Sequence, residues 1–531
     1  MVGTGIGTGG RGEARPRSRR HIRVRGLFLA GAVAAAIVVS GAAFAEPSME
    51  ARVTELVPAL DGYIENGMKA FALPGLAMGI VVGDRLVYAK GFGVEQAGGA
   101  AVDPETVFQI GSTTKAFLAT TMAIAADRDK FAWDARIVDL YPGFSLKDPW
   151  VTREFRMFDI IAQRSGLPPY VNDSYAMLGA DDTQKIESLR HVEPASSFRS
   201  TFTYTNITHL VAQRIVASVM DAPDWHSVVR DEIFAPLGMA SSSSTLEAIE
   251  AAPNHARGHV WSAAGTRAVP FTRFMPYEFG GAGAINSSVV DLAKWVRLNL
   301  ADGAFDGRRI VSAENLAVTR TPRVAISDKV SYAMGWILQS TPNGDITWHN
   351  GGTVAFGSYI GLALDKGVGV IVLTNETNVG LPDAIGAWTF DKLLGNPEVD
   401  HVAVKLAAAQ AADEAGRSRF DRPADARPPI AAGPLAGDYA NPVFGDVVLT
   451  AGDGGLTVDL TAMGSKLRLS PWSGDVFTVT LLPDGGMETL VANIGPDPMG
   501  FAQFRIDASG RIDRFGLTFA EDGQEYVFTR K

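Results

Sequence analysis

Strand signals stand at both ends of a long helical stretch, and this arrangement restricts the fold more than any other feature. Near the amino end, "GLAMGIVV" and "RLVYAKG" flank Gly83-Asp84, two apolar runs joined by a turn signal that predicts a hairpin. Before them, "VTELVPALDGYIENGMKAF" (53–71) carries apolar residues at helical spacing. The middle reads mostly as helix, with helices predicted near 113–128, 205–220 and 288–301. After Ile346 strands return as "ITWHNG", "SYIGLAL", the turn Asp365-Lys366-Gly367, and "VGVIVLTN". Strands at both ends predict one sheet assembled from the two ends of a domain, with a helical region inserted and the elements packed as layers.

The pattern changes from about Asn396. "DHVAVKLAAAQAADEAGRSRF" predicts a helix, and "DRPADARPPIAAGP" a Pro/Ala-rich linker. From Leu435 to Lys531 come short alternating runs, "DVVLT", "LTVDL", "KLRLS", "VFTVTL", "AQFRI" and "EYVFTR", broken by Gly-Asp and Asp-Gly turns. They predict a separate small β-barrel or sandwich. A chain of 531 residues, 46% hydrophobic, has the material for more than one core.

The first 45 residues read as an export signal. "RPRSRRHIRVR" is a basic segment, "GLFLAGAVAAAIVVSG" an apolar one, and "AFA" before Glu46 a small-residue cleavage site. Cleavage is expected after Ala45, giving an acidic body without a fixed-period repeat in the periplasm or outside the cell. An uncleaved anchor is the alternative, although the alanine and glycine content makes a poor span. Residues 1–45 hold seven arginines, so the remainder is more acidic than the formal charge of −10 suggests. That argues against nucleic acid as partner, and no other segment predicts a membrane span. With no cysteine, thiol nucleophiles, disulfides and Cys-ligated zinc are excluded.

Chemistry is suggested first by "QIGSTTKAFLATTMAIAA" (109–126). Ser112 and Lys115 stand at i and i+3, on one face of a helix, so hydroxyl and amine can meet. Apolar surroundings disfavour the ammonium form, and a neutral amine can take the proton of a serine nucleophile. Ser112 is placed in the first turn of that helix, where free N–H groups favour developing negative charge. Ser-x-x-Lys also arises by chance and lysines snorkel, so the pair alone leaves a structural reading open. In "FTYTNITHL", Tyr204 and Asn206 point the same way if extended; alone they also read as a helix cap. In "WHNGGTVAFGSYIG", Gly351 and Gly352 follow His349 into a strand, where glycines let a ligand or backbone approach. A substrate could add to that edge, with the Gly352 N–H in an oxyanion hole; His349 alone reads first as a satisfied structural histidine. His255 and His259 in "HARGH" have metal-like spacing, but Pro253, Asn254 and Gly258 predict a loop, and no metal or other cofactor is expected.

Together, Ser-x-x-Lys, Tyr-x-Asn and His-x-Gly in this order resemble the serine β-lactamase and penicillin-recognising enzyme family, nearest its class C branch with peptidase and esterase relatives. "DIIAQRSGLPPY", "IFAPLGMASSS", "GAGAINSSVVDLAKWV", "YAMGWIL" and "GVIVLTNET" continue the likeness from about Val53 to Leu394. The resemblance implies an α+β fold, a β-lactamase/DD-peptidase-like αβα domain with an antiparallel sheet. It implies that Ser112 forms an acyl-enzyme and that Lys115 and Tyr204 share the acid–base work, in an order left open. Ser112 and Gly352 N–H groups would hold the oxyanion, while Asn206, His349 and Gly351 orient substrate. Two positions depart from the pattern. His349 replaces a lysine whose fixed charge would meet a β-lactam or peptide carboxylate, which puts efficient β-lactam hydrolysis in doubt. Gln163-Arg164 stands where a Thr-His pair is common.

The C-terminal run resembles the lipocalin-like module of some peptidase members. Walling the site entrance, self-association into a homo-oligomer, or a plain stability appendage are all open for it. The expected organisation is a signal peptide at 1–45, a hydrolase domain at 46–395, helix and linker at 396–434, and the β domain at 435–531. The expected function is an exported serine hydrolase cleaving peptide amide bonds, including D-residue or cyclic-derived small peptides. The alternatives are a carboxylesterase on small acyl esters, a weak β-lactamase, or an inactive binding or sensing member.

Overall fold

The computed structural model describes residues 47–531 except Asp453 and Asp522; the segment expected to direct export lies outside the described residues. Among them, no helix is long and apolar enough to cross a membrane.

Helix α1 (Met49–Phe71) starts where the Ser48 hydroxyl accepts from the Ala51 N–H, and ends at Ala72 in the left-handed region. It buries Val53, Leu60, Ile64 and Phe71, one face at helical spacing. The hairpin follows as β1 (Gly75–Val82) and β2 (Arg85–Gly93), turning at Gly83-Asp84 as the sequence predicts. The helical middle supplies α2 (Thr114–Asp127), α3 (Asp173–Met177), α4 (Ile207–Val219) and α5 (Val289–Leu300). Strands return earlier than Ile346, as β3 (Val324–Ala325), β4 (Val330–Tyr332) and β5 (Ile337–Thr341). These are too short, and β5 too evenly half-buried, to show a period-2 signal. Then come β6 (Gly344–Gly352), β7 (Gly357–Ala363), β8 (Val368–Thr374) and helices α6 (Leu381–Leu394) and α7 (His401–Ser418).

Among the described residues these strands form an eight-stranded antiparallel sheet ordered β2-β1-β8-β7-β6-β5-β4-β3. Strands from both ends meet where Met78 pairs with Val372. Alternation sorts β1 and β8 into two cores. Leu76, Met78, Ile80, Val368, Val370 and Val372 pack with α1 and α6. Ala77, Val81, Ile371 and Leu373 face the other way, into the cluster with α2, α4 and α5. Each fully buried Val, Leu, Ile or Met among them contributes about 1.5–3 kcal/mol, and covering both faces makes the sheet the middle of three layers.

The register of β6 matters for the site. Its pairing with β5 runs only from Gly344 to Trp348, whereas its pairing with β7 continues to Gly352. An interior strand by order, β6 therefore has one unpaired edge over His349–Gly352.

Beyond α7, and still among the described residues, eight strands from Gly437–Asn441 to Glu525–Arg530 close into a barrel. Tyr439 pairing with Arg530 completes the ring. Leu467 and Leu469 point inward while Lys466 and Arg468 sit half-exposed between them. Gly437–Asn441 and Ile512–Phe519 are strands beyond the six alternating runs. The first is poor in β-formers, "GDYAN", and the second opens on charges.

Candidate active site

Helix α2 is buried from Thr114 to Ala125, so a lysine within it has no solvent to snorkel toward. Lys115 is 0% exposed. Ser112 sits just ahead of α2, in a 3₁₀ turn (Gly111–Thr113) rather than in the helix's own first turn. Gly111 enables that turn: it lies at φ +51, and a Cβ there would come within 2.7 Å of the Gly352 nitrogen and oxygen. The serine is thereby pressed against the unpaired end of β6.

Three oxygens surround the Lys115 Nζ: Ser112 Oγ at 3.0 Å, Asn206 Oδ1 at 2.8 Å and the Ala282 carbonyl at 2.8 Å. Burial lowers its ammonium to about 7, a shift that the Asp173 carboxylate partly opposes. Tyr204 is half-buried, with Ser112 beside its phenol. Burial holds its phenol well above the ordinary value, so it is a neutral donor. The Lys115 Nζ also lies 4.8 Å from the Tyr204 ring centre.

Asn206 takes the N-cap position of α4, yet its side chain makes no capping bond. Its Oδ1 accepts from Lys115, and its Nδ2 donates to Asp173 Oδ2 at 2.6 Å. Gln163 fixes the backbone around it: Oε1 accepts from Thr205 N and Oγ1, and Nε2 donates to the Thr205 carbonyl. Gln163 is buried at φ +55, and Tyr170, Asn172 and Arg199 further along the chain also have positive φ. Such left-handed side chains cost roughly 1–3 kcal/mol each and concentrate at functional sites.

His349 is buried, and burial lowers its imidazole to about 3. Its Nδ1 faces its neighbour's carbonyl, that of Asn350, at 2.5 Å and so carries the proton, leaving Nε2 to accept from Tyr332 OH at 3.1 Å. The ring is neutral and both nitrogens are engaged. A direct hydrogen bond to substrate would require one of these partners to be given up. Gly351 meets the Ile110 carbonyl, which a Cβ would approach to 1.9 Å, so this glycine serves packing rather than opening a groove. Gly352 is exposed at the strand's end.

Sequence reasoning passed over Asp173, Tyr332 and the Ala282 carbonyl, and gave Gln163 no role. A main-chain carbonyl has no sequence signature at all, while "VNDS" (171–174), running into α3, carries a turn signal that marks Asp173's neighbourhood. His255 and His259 do not converge: their Nδ1 atoms lie against the Ala252 and Asn375 carbonyls respectively.

Comparison with known proteins decides the family. The sequence model described as Beta-lactamase matches residues 60–395. The chain belongs to that family. It is a serine hydrolase of β-lactamase and penicillin-binding-protein-like fold, with an all-β barrel after it, and a second model described only as a domain of unknown function matches residues 421–530. Among relatives, unguisins hydrolases of Aspergillus campestris and Aspergillus violaceofuscus are 29% and 28% identical, over 59% and 83% of this chain. The matches span 60% and 86% of those proteins. Penicillin-binding protein 4 of Amycolatopsis lactamdurans is 27% identical over 69% of this chain and 93% of its own. The fold is shared with an octameric penicillin-binding protein homologue from Pyrococcus abyssi (TM-score 0.56, 21% identity, 89% of this chain, 100% of that one). It is shared too with a class C beta lactamase from Rhodobacter sphaeroides (TM-score 0.52, 21% identity, 67% and 98%).

Proposed function

We propose that this member of the family is an exported enzyme that cleaves amide bonds of peptides through an acyl-enzyme on Ser112. One observation carries the proposal, the valence of the Lys115 nitrogen. A neutral amine has two hydrogens and one lone pair. Asn206 Oδ1 and the Ala282 carbonyl can only accept, so they take the hydrogens. The lone pair is left for the Ser112 hydroxyl.

With its ammonium lowered to about 7, a large share of Lys115 is neutral near neutral pH. Ser112 Oγ attacks the carbonyl carbon as its proton passes to Nζ, and the carbonyl electrons move onto oxygen. Backbone N–H groups of Ser112 and Gly352 would hold that oxyanion. Collapse expels the amine, which takes a proton from the neutral Tyr204 phenol, and Lys115 returns a proton to Tyr204. Water then hydrolyses the Ser112 ester by the reverse relay. The contrast between Lys115 and Tyr204 supports Lys115 as first base and Tyr204 as donor to the leaving group.

Small peptides, including D-residue or cyclic-derived ones, are the substrates favoured. The names of two relatives as unguisins hydrolases and a third as a penicillin-binding protein support this. The neutral His349 supports weak activity on β-lactams, since no fixed charge stands where a carboxylate would dock. The same observation supports a second reading, an esterase on acyl esters that lack a carboxylate. The basic-then-apolar residues 1–45 support export. A panel of p-nitroanilides of L- and D-amino acids, p-nitrophenyl esters and nitrocefin tests these readings. Turnover of anilides above nitrocefin supports the amidase; esters alone turn it to the esterase; nitrocefin as best substrate overturns the reading of His349.

A further inference from the structure

Helix α3 serves two parts of the molecule. Tyr175 within it, with Leu178 and Ala180 just beyond, packs into the barrel's apolar cluster rather than the hydrolase core. The Tyr175 ring lies 5.0 Å from that of Phe444. The first residue of α3, Asp173, reaches the other way and accepts from Asn206 Nδ2. Immediately before it, Asn172 is 0% exposed and left-handed at φ 57. Its Oδ1 accepts from Tyr526 OH at 2.9 Å, and its Nδ2 donates to Ser188 Oγ at 2.6 Å. Tyr526 stands in the last barrel strand, its ring 4.9 Å from Phe444. A continuous path therefore runs from that strand through Asn172, Asp173 and Asn206 to Lys115.

The path has a chemical consequence. An amide side chain fits a site in either of two orientations. A carboxylate accepts, so Asp173 draws the Asn206 NH₂ toward itself and leaves Oδ1 for Lys115. Turned over, Asn206 would present N–H groups to the amine and compete for the lone pair that Ser112 needs.

We propose that the barrel is a working part of the active site, with Tyr526 a positioning residue that, through Asn172 and Asp173, holds Asn206 in the orientation that leaves the Lys115 lone pair to Ser112. This rests on Ser112 as nucleophile and Lys115 as its base. It gives the barrel a role separate from both self-association and a stability appendage.

The titratable groups facing Lys115 are Asp173 on α3, Tyr204, His209 on α4 and His349 on β6. Burial keeps both histidines neutral, and Tyr204 is a neutral phenol, so Asp173 is the charge among them that raises Lys115. Removing or displacing Asp173 should slow acylation and move its acidic limb to lower pH together. General destabilisation has no reason to produce that pair of changes.

The test uses the full mature chain, a fluorophosphonate probe, and the first-order rate of Ser112 labelling from pH 5 to 9. A misfolded fraction that does not exchange on the labelling timescale alters only the amplitude and leaves the rate constant unchanged. Asp173→Asn should label roughly 10- to 100-fold more slowly on its plateau, the scale of a misplaced catalytic group. Tyr526→Phe, which keeps the barrel's ring packing, should slow labelling roughly 3- to 10-fold, the net worth of one hydrogen bond. Both limbs should shift down, Asp173→Asn further. Parental rates and limbs in Tyr526→Phe overturn the proposal. So does a slower Tyr526→Phe whose limb stays in place, since that is a structural effect alone. If the parent is not labelled at Ser112, the proposed mechanism itself fails, an outcome distinct from Ser112 labelling that ignores Tyr526.

Discussion

The Lys115 Nζ donates to the Ala282 carbonyl at 2.8 Å, a bond between a buried amine and an acceptor that never titrates. With Asn206 it exhausts the hydrogens of a neutral lysine, so replacing the amine removes the base while leaving the serine in place. Lys115→Met should lower kcat on a p-nitrophenyl ester by about 10²–10⁴-fold, the usual range for a general base. Activity within tenfold of the parent would move the base to Tyr204.

The acidic limb of kcat/KM should have its midpoint near 7, where burial places the Lys115 ammonium. The base works only unprotonated, so activity rises as pH increases through that value. A limb centred near 5, with no change near 7, would contradict the assignment.

The same displacement has a stability signature of definite sign. Between about 7 and the ordinary 10.5, the unfolded chain holds the Lys115 proton and the folded chain does not. Stability therefore rises with pH across that window, by up to about 1.4 kcal/mol per pH unit, and its burden is greatest below it. The difference in unfolding free energy between parent and Lys115→Met, followed by urea titration from pH 7 to 10, should show this slope. A flat difference would mean that the amine is not desolvated.

Gly111→Ala tests how the nucleophile is set against β6. The new Cβ would meet backbone of Gly352, which cannot swing aside as a side chain can, and φ +51 suits alanine poorly. A loss of roughly 10- to 100-fold in kcat is expected from misplacing Ser112, with the barrel's circular dichroism unchanged. Full activity would show that the close approach is dispensable.

How far the sequence led differs from residue to residue. Ser112, Lys115, Tyr204 and Asn206 were recognisable because each lies within a short local pattern, and their convergence follows from the fold that the strand blocks predict. Gln163, read only as a departure from a common pair, holds Thr205 by three hydrogen bonds from a left-handed backbone that no glutamine propensity announces. The Ala282 carbonyl and the Tyr332–His349 bond depend on tertiary approach across long stretches of chain. The alternating runs of the barrel were visible, but "GDYAN" became a strand only because closure gives it partners on both sides.

The most direct test of the whole account is the position of the covalent adduct. The protein is treated with a fluorophosphonate, digested, and mapped by peptide mass, beside Ser112→Ala. The account predicts one adduct, on the peptide containing Ser112, and none in the variant. An adduct at another residue, or labelling that persists in Ser112→Ala, would contradict it.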